Sequence, residues 1–409
     1  MHIVLLNQFY WPSVAATAQL SADLCEALVQ AGHQVTVICS QGDYVGDAPR
    51  LSARAHHNGV DIVRLPATSF GKGNKLLRLT DYASFYGLAA GALLTVKAPD
   101  VFICLSTPPM VALAGLYAAR LRRAPMIYWC QDVYPDMAVA LGVLQADSVA
   151  AKALDQASRH LLGRSAAVVS IGERMAEVLS ARGASAPVII HNWSDGSAID
   201  PAKSPPRAEN AFRRLLGASP DDVLIMYAGN MGMAHNFTAV DHALNTLAGH
   251  PEGSRLCFGF IGEGNRKHEV EAMAARAIEG GARIKFLPYQ DREKLPEMLT
   301  AADVHLVCMD DQVSGLMVPS KLYGAMAAGR AVLLAGPGEG EAADIVRDTA
   351  CGFQVRADDG PAMVEALLTL SWDDDLRTQM GQKARADFMA RFDRSSACAR
   401  FVELVEQLR

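Results

Sequence analysis

Nowhere in its 409 residues does the chain carry about 18 uninterrupted apolar residues, the length a helix needs to cross a bilayer. Neither sign of charge dominates: 38 Lys and Arg against 44 Asp and Glu leave a net charge of -6, which gives no hint of a nucleic-acid binder. The eight cysteines come without paired spacing or companion histidines, so neither a disulfide framework nor a metal-ligand cluster is indicated. Cys39, Cys104, Cys130 and Cys308 fall in apolar strand-like runs and read as reduced core residues. No internal repeat is evident, and the six-residue glycine fingerprint of dinucleotide binding is missing. The opening "MHIVLLNQFYWP" enters a strand pattern with no signal-peptide layout, so a place inside the cell or at the inner face of a membrane is expected.

What is present is alternation. Short β-rich runs, "IVLL", "VTVI", "VDIVRL", "VFICL", "MIYWC", "AVVSI" and "VII", are separated by helix-like segments. After Ile199–Asn210, "IDPAKSPPRAEN", rich in proline and polar residues and the best linker candidate, the pattern resumes with "VLIMYA", "LCFGFI", "IKFL", "VHLVC", "AVLLA" and "GFQV". That is the mark of parallel α/β architecture. At this length two domains are expected: 1–200, 201–385, and a closing amphipathic helix within 386–409 that can cap either domain and is assigned to the first. Ligands of such sheets bind beyond the carboxyl ends of the strands, here at a cleft between domains.

Several strand-end stretches could carry chemistry. "GLMVPSKLYGAMAAG" sets Lys321 at the start of a helix marked by Pro319 and Ser320. A cation beside the positive end of a helix is unfavourable unless an anion is shared between them. Lys321, Gly324, Ala325 and Ala328 share one face, which suits either close approach to a ligand or tight packing on a sheet. "AGNMGMAHNF" brings Asn230 and the glycines Gly229 and Gly232 to a strand end, and "GEGNRK" brings Gly262, Gly264, Arg266 and Lys267. Such turns can present amides to phosphate or can simply be tight connections. "GPGEGE" places Glu339 and Glu341 where carboxylates would suit sugar or ribose hydroxyls, though Glu341 is also a favourable helix-start acid. Together these loops suit a nucleotide diphosphate bearing a sugar.

In the first half, a small-residue loop leads into a helix near Ala15, Ala16 and Thr17. "YWCQDVYPD" delivers Asp132 to a strand end, with Asp136 beyond, as an acceptor ligand, a base or a helix cap. A basic, aromatic stretch with Lys72, Lys75, Arg78, Phe70, Tyr82, Phe85 and Tyr86 could lie on an anionic membrane or pack as an ordinary helix.

These segments, with "HNWSDGSAIDP" and "LPYQDREKLPEML", resemble the family 4 retaining glycosyltransferases, and more narrowly the bacterial branch that builds O-antigen, capsule and exopolysaccharide. The resemblance implies a GT-B fold of two Rossmann-like doubly wound domains facing across a cleft. It implies a nucleotide diphosphate sugar donor in the second domain, UDP ahead of GDP, and a polyprenyl-diphosphate-linked saccharide acceptor in the first. No metal or other cofactor is implied. By resemblance Lys321 and Ser320 hold the diphosphate with Pro319 beside them, Asn230 and Gly232 help through their backbone, Arg266 meets the nucleotide, Glu341 serves the donor sugar, and Asp132 lies beside the reacting sugar. Two departures stand out. A glutamate pair found eight apart in many members is replaced by Leu316 and Gly324, and an Arg–Lys pair by Asn230 and His235–Asn236. A sugar-nucleotide 2-epimerase of the same fold, or a silent sugar-nucleotide-binding partner protein, are the rival readings.

Overall fold

The β-rich runs form two sheets whose central strands are buried on both faces, as parallel strands covered by helices must be. The computed structural model describes residues 1–42, 50–70 and 75–408, apart from the side chains at 75, 76 and 78.

The first sheet holds β1 (His2–Leu6), β2 (Gln34–Ser40), β3 (Arg54–His57), β4 (Val60–Leu65), β5 (Val101–Leu105), β6 (Met126–Trp129), β7 (Ala167–Ser170) and β8 (Val188–Ile189). Their order is β3-β4-β2-β1-β5-β6-β7-β8, all parallel except the β3–β4 hairpin. Ile3 to Leu6 of β1 have no exposed surface, and Cys39, Cys104 and Cys130 lie buried among such strands. β3 is absent from the apolar runs because "RAHH" is a polar edge strand. Its signal was the turn Asn58–Gly59, both at positive φ, a favoured hairpin pair.

The second sheet holds β9 (Val223–Ala228), β10 (Leu256–Ile261), β11 (Ile284–Leu287), β12 (Val304–Cys308), β13 (Ala331–Ala335) and β14 (Gly352–Val355). All are parallel in the order β11-β10-β9-β12-β13-β14, so the order reverses between β9 and β12. In the first sheet it reverses between β1 and β5. Both units are thus Rossmann-like, and each has a switch point at which loops diverge to leave a crevice.

The chain divides as Met1–His191 with Ser395–Arg409, and Asn192–Arg394. The boundary therefore precedes the expected one at 200, and "IDPAKSPPRAEN" is no linker but a docked part of the second unit. Asp200 caps the Ala202 amide at 3.0 Å, Asn210 caps Phe212 and Arg213 at 2.9 and 3.1 Å, and Arg385 donates to the Ile199 carbonyl at 2.8 Å. Its prolines and polar residues make caps rather than slack. "NWSD", which the expected boundary at 200 puts inside the first domain, opens the second: Asp195 caps Ser197 and Ala198 at 3.0 Å and pairs with Arg394 at 3.0 Å. The closing segment also differs from 386–409. One helix, Asp374–Arg391, belongs to the second unit, while most of the last, Arg394–Gln407, belongs to the first.

The basic aromatic stretch forms the helix Lys75–Thr95. Phe85, Ala89 and Leu93 are core residues, and the Tyr86 hydroxyl donates to the Pro109 carbonyl, so one face packs as an ordinary helix. Phe70, Leu79, Leu88 and Leu94 are exposed. Lys72 and the side chains of Lys75 and Arg78 lie outside the described residues. Among the described residues no helix is long and apolar enough to cross a membrane.

Candidate active site

In the second unit the loops after β9 and β10 are fitted backbone to backbone. The Gly229 amide donates to the Ile261 carbonyl at 2.8 Å, Met231 to Glu263 at 2.8 Å, and Arg266 to Met231 at 2.9 Å. Gly262 and Gly264 have φ of 131° and 150°, and a Cβ on them would lie 2.2 Å from the Gly229 oxygen and 2.4 Å from the Met231 oxygen. Their close partner is thus the neighbouring loop, so the tight-connection reading accounts for both. Gly229 has another reason: a Cβ there would sit 3.2 Å from Cε of Lys321, whose stem lies against it.

Lys321 opens the seven-residue helix Lys321–Ala327. Its Nζ lies 3.0 Å from His235 Nε2 and 4.7 Å from the centroid of the Tyr227 ring. Tyr227 is buried beneath it, its hydroxyl donating to the Asn230 carbonyl at 2.7 Å. Among the described residues no carboxylate pairs with this ammonium. Burial brings its pKa down from 10.5 to about 8, with the nearby Cys308 thiol a lesser, opposing influence. A desolvated cation held by neutral groups is costly until an anion arrives.

His235 is the residue that sequence reasoning left out of the site. It appeared there as one half of a departure, and no spacing signal could place its ring under Lys321, 86 positions away. Burial, then Lys321 and Arg266, hold its pKa well below 6.5. Arg266, expected at the nucleotide, pairs with Glu269 at 2.7 Å and donates to the His235 carbonyl, so it also braces the loop. Lys267 is taken up by Glu263 at 2.8 Å.

Around Lys321, Pro319 is buried and Ser320 exposed, with no side-chain cap made by the serine. Ala325 and Ala328 are fully buried, so packing explains them. A Cβ on Gly324 would meet Cδ1 of Leu299 at 3.3 Å. Glu341 opens the helix Glu341–Thr349 and is half-buried, and its charge helps burial raise the pKa of Tyr323, whose buried hydroxyl has no hydrogen-bond partner among the described residues. Glu339 is exposed, its carbonyl accepting from Ser314 Oγ at 2.8 Å. The loops after β9 and β12 meet where the Asp310 amide donates to the Ala234 carbonyl at 2.8 Å. Asn230, Gly232, Lys321 and His235 therefore gather at the switch point.

In the first unit Asp132 lies in the loop after β6, its amide donating to Ser106 Oγ at 3.2 Å. Burial pushes its carboxyl up to about 6. Asp136 belongs elsewhere: it starts the helix Asp136–Ala140 and pairs with Arg182. Ala15 is the cap residue of the helix Ala16–Gln30, Ala16 is exposed and Thr17 half-buried. The loop before them joins the end of β5 through the Gln8 amide and the Thr107 carbonyl, 3.0 Å. Asp132 and the Ala15–Thr17 helix start so follow β6 and β1, the two strands that flank β5 in one sheet. Among the described residues no group of three or more His, Cys, Asp or Glu is placed to hold a metal.

Residues 16–193 match the family described as Glycosyl transferase 4-like domain, and residues 208–387 match Glycosyl transferases group 1. An Escherichia coli K12 glycosyl transferase named for colanic acid biosynthesis, WcaI, is 26% identical over 80% of this chain and 82% of its own. The Pseudomonas aeruginosa glycosyltransferase WbjE is 28% identical over 58% of this chain and 57% of its own. Among solved structures, Anabaena HepE in complex with UDP-glucose superposes with a TM-score of 0.70, at 16% identity, over the whole of both chains.

Proposed function

The chain belongs to the family 4 glycosyltransferases of GT-B fold in bacterial polysaccharide biosynthesis, and from that membership we propose a retaining transfer of a hexosyl or N-acetylhexosaminyl group from a nucleotide diphosphate sugar to a lipid-linked saccharide. UDP is the expected nucleotide, a choice supported by the UDP-glucose held by HepE, a protein of the same fold. The observation that carries the reading is Lys321, an ammonium at a switch point of strand-end loops that no carboxylate among the described residues pairs with.

In the proposed reaction the bond from the anomeric carbon to the diphosphate oxygen breaks, and a bond from that carbon to the acceptor oxygen forms on the same face. The acceptor's hydroxyl proton leaves to the departing diphosphate. Lys321 stabilises the charge that develops there, with Ser320 and the amides of Asn230 and Gly232 beside it; fixed groups do this best because they need no reorganisation. Glu341 binds hydroxyls of the donor. Asp132, half-buried at its strand end, orients the acceptor hydroxyl. No metal or other cofactor enters the scheme.

A lipid-linked acceptor calls for contact with a membrane. Exposed Leu88 and Leu94, with Tyr117 and Leu121 on the adjoining helix Ala112–Arg122, lie among exposed Lys97, Arg120 and Arg123. Apolar and basic side chains so mixed suit the inner, anionic leaflet of the cytoplasmic membrane.

The test is Lys321→Ala, assayed with UDP- and GDP-sugars and followed by nucleotide calorimetry and circular dichroism. Transfer should fall by about a hundredfold or more with the fold intact. Near-normal turnover in that variant overturns the scheme. Interconversion of a nucleotide sugar in the absence of acceptor would replace transfer by epimerisation.

A further inference from the structure

The His235 ring meets Lys321, Gly232 and Tyr227, and its hydrogen bonds cannot all hold at once. The residue is 6% exposed. Nε2 lies 3.0 Å from Lys321 Nζ, while Nδ1 lies 3.0 Å from the Gly232 amide nitrogen and 3.2 Å from the Gly232 carbonyl oxygen. A neutral imidazole has one N–H and one bare nitrogen. Two arrangements therefore compete.

When Lys321 is an ammonium it has only donors to offer, so Nε2 is bare and accepts from it. Nδ1 then carries the hydrogen and donates to the Gly232 carbonyl, and the Gly232 N–H is released from the ring. When Lys321 is an amine it gains a lone pair, so it no longer requires a bare Nε2 and can accept from Nε2–H. Nδ1 is now bare and takes the Gly232 N–H. The ammonium excludes Nε2–H, whereas the amine admits it, and the Gly232 N–H, which needs an acceptor, then selects the tautomer with a bare Nδ1.

We propose that His235 is a positioning residue whose tautomer couples Lys321 to Gly232, so that the ammonium and the amide are offered to a nucleoside diphosphate together and withdrawn together. This rests on the reading of Lys321 as the diphosphate ligand and adds a mechanism to it. The other groups facing the pair do not supply an alternative partner. Arg266 is bound to Glu269 and to the His235 carbonyl, and the Tyr227 hydroxyl is spent on Asn230. The Cys308 thiol, pushed up to about 12 by burial, stays neutral. With Lys321 at about 8, the change falls within the reach of ordinary buffers.

The experiment is two-bond hydrogen–nitrogen spectroscopy of the full chain labelled with nitrogen-15 in histidine, with His235 identified by its loss in His235→Gln. Below about pH 7 the ring should carry its hydrogen on Nδ1, and above about pH 9 on Nε2, and added UDP should extend the Nδ1–H range upward. A single tautomer throughout, or Nε2–H on the acid side, overturns the proposal. In parallel, His235→Phe should bind UDP about tenfold more weakly at neutral pH, and His235→Gln, whose amide oxygen can accept from Lys321, should restore most of that loss. Equal UDP affinity in Lys321→Ala and wild type would sink the diphosphate reading itself. Lost affinity in Lys321→Ala with an unswitching ring would leave that reading standing and remove only this one.

Discussion

Lys321 and Asp132 are both placed where their charged forms are disfavoured, and each should therefore leave its mark on the pH profile. The Lys321 pKa is depressed, so its ammonium is present below about 8 and lost as pH rises through that value. The Asp132 pKa is raised, so its carboxylate is present above about 6 and lost as pH falls through that value. A plot of kcat/KM against pH should fall on both sides of a plateau between about 6 and 8, since this quantity reports the free enzyme. Asp132→Asn should lower the plateau and remove the acid limb. A bound diphosphate favours the ammonium, so the alkaline limb of kcat should lie above that of kcat/KM. Steady-state rates in matched buffers check both statements. An acid limb that survives in Asp132→Asn assigns it to another group. The sequence could nominate Lys321, because a cation at a helix start is a local anomaly. It could not nominate His235, because the contact that matters crosses 86 positions.

At the scale of elements, glycines that look alike in the sequence do different work. Gly262 and Gly264 hold positive φ against another loop's backbone, which cannot give way; Gly324 faces the flexible tip of Leu299. Gly262→Ala should therefore lower stability by about 2 to 4 kcal/mol, from backbone strain and a forced loop separation. Gly324→Ala should be nearly neutral, because alanine favours helix by about 1 kcal/mol and Leu299 can shift. Thermal or urea unfolding of the two variants tests this. Equal losses would show that the loops are not fitted as described. The strands of the second sheet were legible because buried parallel strands are continuous apolar runs. β3 was not, since a polar edge strand leaves only its turn as a signal.

For the molecule as a whole, the last helix ties chain end to chain beginning. Phe401 is fully buried against Trp129 of β6, ring centroids 4.7 Å apart, and Arg400 donates to the Ile189 carbonyl at 2.6 Å. Phe401→Ala should cost the first unit about 3 to 5 kcal/mol and leave the second nearly unchanged. Scanning calorimetry that resolves two transitions would show one of them shift, and a shift of the other alone would contradict the assignment. The amino-acid sequence by itself determined the α/β class, the two-unit plan and the short helix that begins at Lys321, because burial on both faces and helix punctuation are written in local pattern. Only the tertiary structure decided which unit holds "IDPAKSPPRAEN", where the final helix docks, and which histidine meets the lysine. Those depend on contacts between segments far apart in the chain, for which no local periodicity exists.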